Sequence, residues 1–375
     1  MIHFPREIRI IDLHAQYRLY QEEIDAALRA VLTSAAFIQG PQVFSFERAL
    51  RDYTGSAAVL SCGNGTDALQ IAMMALGLEP GDEVIVPVNT YVATAEVLAL
   101  LRLTPVFADV YSDTFLLDDS RLHVYITPRT KAIVPVHLYG QCANMERILS
   151  IAAQHHLFVI EDTAQALGAV YTFSDGRQQL AGTMGAIGTT SFFPTKSLGC
   201  YGDGGAIFTH DVLYAEKMRM IANHGQRVKY HHELVGINSR LDTLQAAVLE
   251  VKLKYLQQEI DRRNAFAAFY DVQLGVVAGI QIPVRCPAST HVFHQYTIQT
   301  ERRDALQAHL IGYGIPAAVY YPLLLHRQKA YQGYSTNTFP VAEHVHTQML
   351  SLPIHSTMEA DELRFICSTI KSFFC

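Results

Sequence analysis

Short apolar runs and helical stretches alternate along the first part of the chain. Residues 16–32 bring Tyr17, Ile24, Leu28 and Val31 near one face, which predicts a helix. Ala57–Leu60 is a short apolar run that enters a glycine-rich turn. Thr66–Leu76 has helical composition and ends at Gly77. Strands are predicted at Glu83–Pro87, Pro105–Asp109, Ala132–Pro135, Phe158–Ile160 and Ala206–Thr209. Helices at Tyr91–Leu101 and Met145–His155 fall between them. This alternation predicts a parallel sheet with crossover helices.

Such sheets take ligands beyond the carboxyl ends of their strands. Four polar clusters fall at those ends: Gly63–Thr66, Asn89–Tyr91, Glu161–Gln165 and Ser191–Lys196. Further on, residues 241–271 repeat Leu241, Leu244, Val248, Val251 and Tyr255 at helical spacing, and one long helix is expected there. It leads to a second unit with a strand at Tyr296–Thr300 and a helix at Asp304–Tyr313. The expected division is a large domain of residues 1–255 and a smaller one of residues 256–375. No internal repeat or low-complexity linker interrupts it.

Composition narrows the function classes. Half of the 375 residues are hydrophobic and 17% are charged, enough apolar material for a large core. The net charge of -6, without any Lys/Arg block, argues against nucleic acid as a partner. No secretory leader and no run long enough for a membrane span is present, so a soluble cytoplasmic chain without a membrane partner is expected. Cys62, Cys142, Cys200, Cys286, Cys367 and Cys375 are widely and irregularly spaced. That spacing suggests reduced thiols, and neither a zinc site nor an iron–sulfur cluster.

Three segments carry candidate chemistry. In Ser61–Leu69 a turn with Gly63 and Gly65 leaves a strand and opens a helix, where free N–H groups and Thr66 would favour a phosphate. It matches neither a dinucleotide fingerprint nor a Walker loop, and a capped helix with a tight turn would look the same. In Val159–Gln165, Asp162 ends a buried strand, where a carboxylate can keep a pyridine nitrogen protonated. Gln165 follows three positions later, within reach of a ring oxygen; a helix-capping Asp162 is the alternative. Lys196 follows the strand-like Ser191-Phe192-Phe193, among apolar neighbours that would lower its pKa and free it as a nucleophile. Most lysines are merely solvated. The dense glycines of Gly199–Gly205, however, imply backbone pressed against a neighbour. Phosphate turn, strand-end aspartate and lysine come in the order of a fold type I pyridoxal phosphate (PLP) enzyme.

Over nearly its whole length the sequence resembles the DegT/DnrJ/EryC1/StrS family of nucleotide-sugar aminotransferases. The segments that carry the likeness include Gly63–Leu69, Gly81–Pro87, Asn89–Thr94, Glu161–Gln165, Ser191–Lys196, Gly202–Gly205, Gly236–Asp242 and His294-Gln295-Tyr296. The resemblance implies an α/β fold: a large domain with a mostly parallel mixed sheet and a smaller α+β C-terminal domain. It implies PLP held as a Schiff base by Lys196, which also moves the proton. Asp162 would pair with the ring nitrogen, Gln165 with the ring oxygen, and Tyr91 would stack on the ring. Gly65, Thr66 and Ser191 would hold the phosphate, joined by Asn238 from the second subunit of a homodimer. Arg240 and Tyr321, with Tyr320 beside them, would face the sugar nucleotide. The implied reaction moves an amino group from a donor, glutamate, to a keto sugar on a nucleoside diphosphate. Leu198–Tyr201, His224-Gly225-Gln226 and Tyr230-His231-His232 look most like enzymes that act at C3 of UDP- or dTDP-linked 3-oxo sugars. Tyr320 stands where many of those enzymes carry histidine. Amination at C4, PLP-dependent dehydration and non-catalytic sugar binding are the other readings.

Overall fold

The computed structural model describes residues 7–375. Helix α1 (Leu13–Ser34) starts at Asp12, whose carboxylate accepts the Ala15 N–H at 2.9 Å. The helix buries Tyr20 and Ile24 beside Val248 and Val251. Helix α2 (Pro41–Thr54) places proline where a missing N–H costs nothing and turns Val43, Phe46 and Leu50 inward. β1 (Ala58–Cys62), α3 (Gly65–Leu76), β2 (Glu83–Pro87), α4 (Ala93–Leu100), β3 (Thr104–Ala108) and β4 (Thr130–Ile133) follow. α5 (Met145–His155), β5 (Phe158–Asp162) and the hairpin of β6 (Val170–Thr172) and β7 (Gln178–Leu180) come next. β8 (Ile187–Ser191), β9 (Gly205–Thr209) and α6 (Val212–Ala222) precede a second hairpin, β10 (Gln226–Val228) and β11 (His231–His232). The chain continues with α7 (Thr243–Leu253), α8 (Leu256–Leu274), β12 (Tyr296–Gln299), α9 (Arg303–Gly312), α10 (Pro340–Val345), β13 (Met349–Leu352) and α11 (Ala360–Phe374).

Among the described residues seven strands form the main sheet, in the order β1-β9-β8-β5-β4-β2-β3. Pairs from β8 through β5, β4 and β2 to β3 are parallel. β9 runs antiparallel to both β8 and β1. Two reversals cancel, so β1 points the same way as β8. The carboxyl ends of all strands but β9 therefore share one edge. Alternation sends Ile85, Ile133 and Val159 to a core on one face. Val84, Ala132 and Ile160 go to a core on the other. Burial on both faces is what near-continuous apolar strands require.

A third core joins Ala267, Tyr270 and Leu274 of α8 to Tyr296 and Ile298 of β12, Leu306 and Leu310 of α9, and Ile366 and Ile370 of α11. β12 pairs with β13 antiparallel. This is the smaller α+β part of an α/β fold type I architecture. Among the described residues no helix is long and apolar enough to cross a membrane.

Two expectations change. The helix expected over residues 241–271 is two helices, parted at Lys254 and Tyr255. Leu256 and Ile260 then pack in the first core while Ala267 and Tyr270 pack in the third. The strand before Lys196 stops at Ser191, so Phe192 and Phe193 already belong to the turn that carries the lysine.

Candidate active site

The loops that leave β1, β2, β5 and β8 meet around a cavity of about 780 Å³. They bring together Gly65 and Thr66, Thr90 and Tyr91, Asp162 and Gln165, and Ser191 and Lys196. That volume is in the range of a small-molecule site.

Asp162 ends β5 and is 6% exposed. It caps no helix. Its Oδ1 accepts the Ala164 N–H at 3.1 Å, and its Oδ2 accepts the Thr94 hydroxyl at 2.9 Å. A carboxylate has about four acceptor positions, so capacity remains for a donor in the cavity. Glu161 points to the opposite face, as strand alternation demands. Its carboxylate accepts the N–H groups of Gly182 at 2.9 Å and of Met184 and Gly185 at 2.6 Å. His137 Nε2 lies 2.9 Å from it. Because His137 Nδ1 accepts the Ala143 N–H at 3.1 Å, the ring proton sits on Nε2 and is donated to Glu161. This buried pair clamps the end of β5 and so fixes Asp162. The sequence places Glu161 beside Asp162 but carries no sign of its partner, which lies in another strand's loop.

Lys196 sits in a turn closed by its own N–H on the Phe193 carbonyl at 2.8 Å. Burial lowers its pKa to about 8, against the opposing charge of Asp162. Roughly a tenth of the amine is then neutral at pH 7, against roughly one part in three thousand at the ordinary value. Beside it, His294 is buried and held well below its ordinary pKa by that burial, so the imidazole is neutral.

The turn into α3 forms the opposite wall. Asn64 accepts the Asp67 N–H at 2.8 Å, which leaves other first-turn N–H groups for a ligand. A Cβ on Gly65 would lie 2.8 Å from the Ser191 Cβ, and one on Gly205 would lie 2.4 Å from the Asn64 carbonyl. The glycines therefore let three strand ends close on one another. Ser239 locks the turn by accepting the Gly63 N–H at 2.9 Å and donating to Asp67 Oδ2 at 2.6 Å.

The Gln165 amide is held at both ends. It accepts the Tyr139 N–H at 2.7 Å and donates to the Tyr321 hydroxyl at 3.0 Å. Tyr91 and Tyr321 face each other with ring centres 5.6 Å apart, and Tyr91 is 54% exposed. Tyr320 also lines the cavity. Asn238 and Arg240 do not line it within this chain. Asn238 is exposed, and Arg240 lies against Asn223, 3.4 Å from its side-chain oxygen. Among the described lining residues of the cavity, Lys196 is the only lysine or arginine.

The sequence profile of the DegT/DnrJ/EryC1/StrS aminotransferase family matches residues 19–371. The UDP-2-acetamido-2-deoxy-3-oxo-D-glucuronate aminotransferase of Pseudomonas aeruginosa is 46% identical over 97% of this chain and 99% of its own. The dTDP-3-amino-3,4,6-trideoxy-alpha-D-glucose transaminase of Streptomyces venezuelae is 41% identical, over 98% and 96%. The crystal structure of NtdA from Bacillus subtilis with bound cofactor PMP superposes with a TM-score of 0.91 at 31% identity, covering 98% of this chain and 85% of that one.

Proposed function

The chain belongs to the DegT/DnrJ/EryC1/StrS aminotransferase family, and from that premise we propose that it aminates C3 of a 3-oxo sugar carried by UDP or dTDP, with glutamate as donor. It is a PLP-dependent transaminase that acts on a nucleotide-linked sugar. Relatives named for 3-oxo or 3-amino sugars support C3.

The single observation that carries the reading is the fit of the cavity to PLP. A carboxylate with spare acceptor capacity stands at a strand end, and a lysine of lowered pKa stands opposite its charge. A helix N-terminus is pressed so closely on Ser191 that a Cβ at Gly65 would fill the cradle. When bound, PLP supplies an electron sink that lets a C–H bond beside an amine ionise.

The chain's residues do the rest. Gly65, Thr66 and Ser191 hold the phosphate at the helix terminus. Asp162, kept in place by Thr94 and Ala164, holds a proton on the ring nitrogen. Gln165, oriented by Tyr139 and Tyr321, turns its amide toward the ring oxygen. Tyr91 covers the ring face. Lys196 provides the nucleophilic amine and then carries the proton between carbon atoms, a task suited to a base poised near neutral pH.

A homodimer completes the site. Lys196 is too little positive charge for a diphosphate, Asn238 is exposed, and Arg240 lies against Asn223 away from the cavity. Phe37, Ile38 and Phe44, with Val228, Tyr230 and Val235 around the β10–β11 hairpin, leave apolar surface exposed, as an interface requires. In this reading Asn238 reaches the partner's phosphate site, and Arg240, Tyr320 and Tyr321 meet the sugar nucleotide. Incubation with glutamate and matched 3-oxo and 4-keto UDP- and dTDP-sugars, with the product read by NMR, tests the proposal. A 3-amino product is expected; a 4-amino product alone would overturn it.

A further inference from the structure

Lys252 is a second buried lysine, and none of the roles above uses it. It lies on α7 and is 3% exposed. Among the described residues, the acceptor placed on its ammonium is the Gly199 carbonyl, to which Nζ donates. The ammonium also stands over the Tyr201 ring, 5.5 Å from its centre. Burial lowers its pKa to about 8, with the Glu259 charge opposing. Seven positions earlier on the same helix face, Gln245 accepts the Tyr201 N–H at 2.8 Å. Two side chains of α7 thus grip the glycine-rich segment that follows Lys196.

Gly199 transmits that grip. A Cβ there would lie 2.3 Å from the Pro194 carbonyl oxygen and 2.8 Å from that of Phe193. Backbone therefore rests on backbone, and the Lys196 N–H closes its turn on that same Phe193 carbonyl. Cys200 adds a further tie, its N–H on the Phe192 carbonyl at 2.8 Å. Anything that fixes Gly199 fixes the peptides from which Lys196 rises.

We propose that Lys252 is a positioning residue for Lys196: through the Gly199 carbonyl it holds the turn at the height from which the Lys196 amine enters the cavity. The proposal rests on the reading of Lys196 as the cofactor lysine. A buried ammonium with one carbonyl partner is a poor way to stabilise a fold, because desolvation of the charge opposes the gain. An apolar side chain of similar length at this position removes that desolvation cost but leaves the Gly199 carbonyl without its donor, two effects of opposite sign on folding. The service Lys252 renders is to the site.

Lys252→Met tests this with two measurements, one of folding and one of the site. One is the thermal midpoint of the cofactor-free protein. The other is the release rate of PLP, together with the visible circular dichroism of bound PLP. The expected result is a thermal midpoint changed little, PLP release faster by about fivefold, the worth of one hydrogen bond, and a weaker visible signal. Lys252→Gln keeps an N–H donor on the same helix face and restores retention in part. A lowered midpoint with unchanged release and signal would make Lys252 purely structural and overturn the proposal. So would equal loss in both variants, or no change in either. A wild-type protein that takes up no PLP would instead overturn the reading of Lys196 itself, which keeps the two failures apart.

Discussion

In the proposed function Asp162 and Lys196 divide the work at the site, and their surroundings suit each to its task. Thr94 was not legible as a partner of Asp162: the two lie far apart in sequence, and the hydroxyl at the start of α4 meets the carboxylate at the end of β5 only in the fold. Removing it with Thr94→Val leaves Asp162 Oδ2 without that donor. A hydrogen bond to a charged group contributes about 1.5–3 kcal/mol, so PLP should bind about tenfold or more weakly, as titration of the cofactor-free protein would measure. Lys196 reacts as the neutral amine, and its pKa lies near 8. The rate of PLP capture should therefore rise about tenfold between pH 6 and pH 7 and level off above 8. A stopped-flow pH series reads this directly; a profile still rising steeply at pH 10 would mean an unperturbed lysine. The lowered pKa itself was expected from the apolar neighbours of Lys196, because desolvation follows from composition. Glu161 and His137 had no such trace.

The elements of the main sheet were legible where apolar runs were short and bounded. Glu83–Pro87 is a strand with the very limits expected, and Met145–His155 is likewise a helix. The break between α7 and α8 was not legible, since Lys254 and Tyr255 include no glycine or proline and the helical spacing runs straight through them. The packing of one stretch against two separate cores decides it. At this scale Ser239 is the test residue. It joins the turn before α3 to the segment before α7 through Gly63 and Asp67. Ser239→Ala leaves a donor and an acceptor in the interior and should cost about 1–3 kcal/mol in denaturant unfolding. Phosphate retention should weaken with it.

At the scale of the whole molecule, the proposed function has the described chain build most of a site and a second copy supply the rest. The outward placement of Asn238 makes a prediction that a monomeric site could not meet. Lys196→Ala and Asn238→Asp subunits, each inactive or nearly so alone, should regain activity on mixing. Random exchange makes half the dimers mixed, each with one intact site, so recovery should approach roughly a quarter of the wild-type rate. No recovery after demonstrated subunit exchange would place Asn238 in its own chain's chemistry. The family likeness was what brought Asn238 and Arg240 into view; neither composition nor periodicity distinguishes them from surface residues.

Lys196 is the residue to which PLP is proposed to be joined. Reduction of the PLP-loaded protein with borohydride, followed by peptide mass mapping, reads that bond directly. A single phosphopyridoxyl group is expected on the peptide containing Lys196, lost in Lys196→Ala. A modified Lys252, a modified surface lysine, or no stoichiometric modification at all would contradict it.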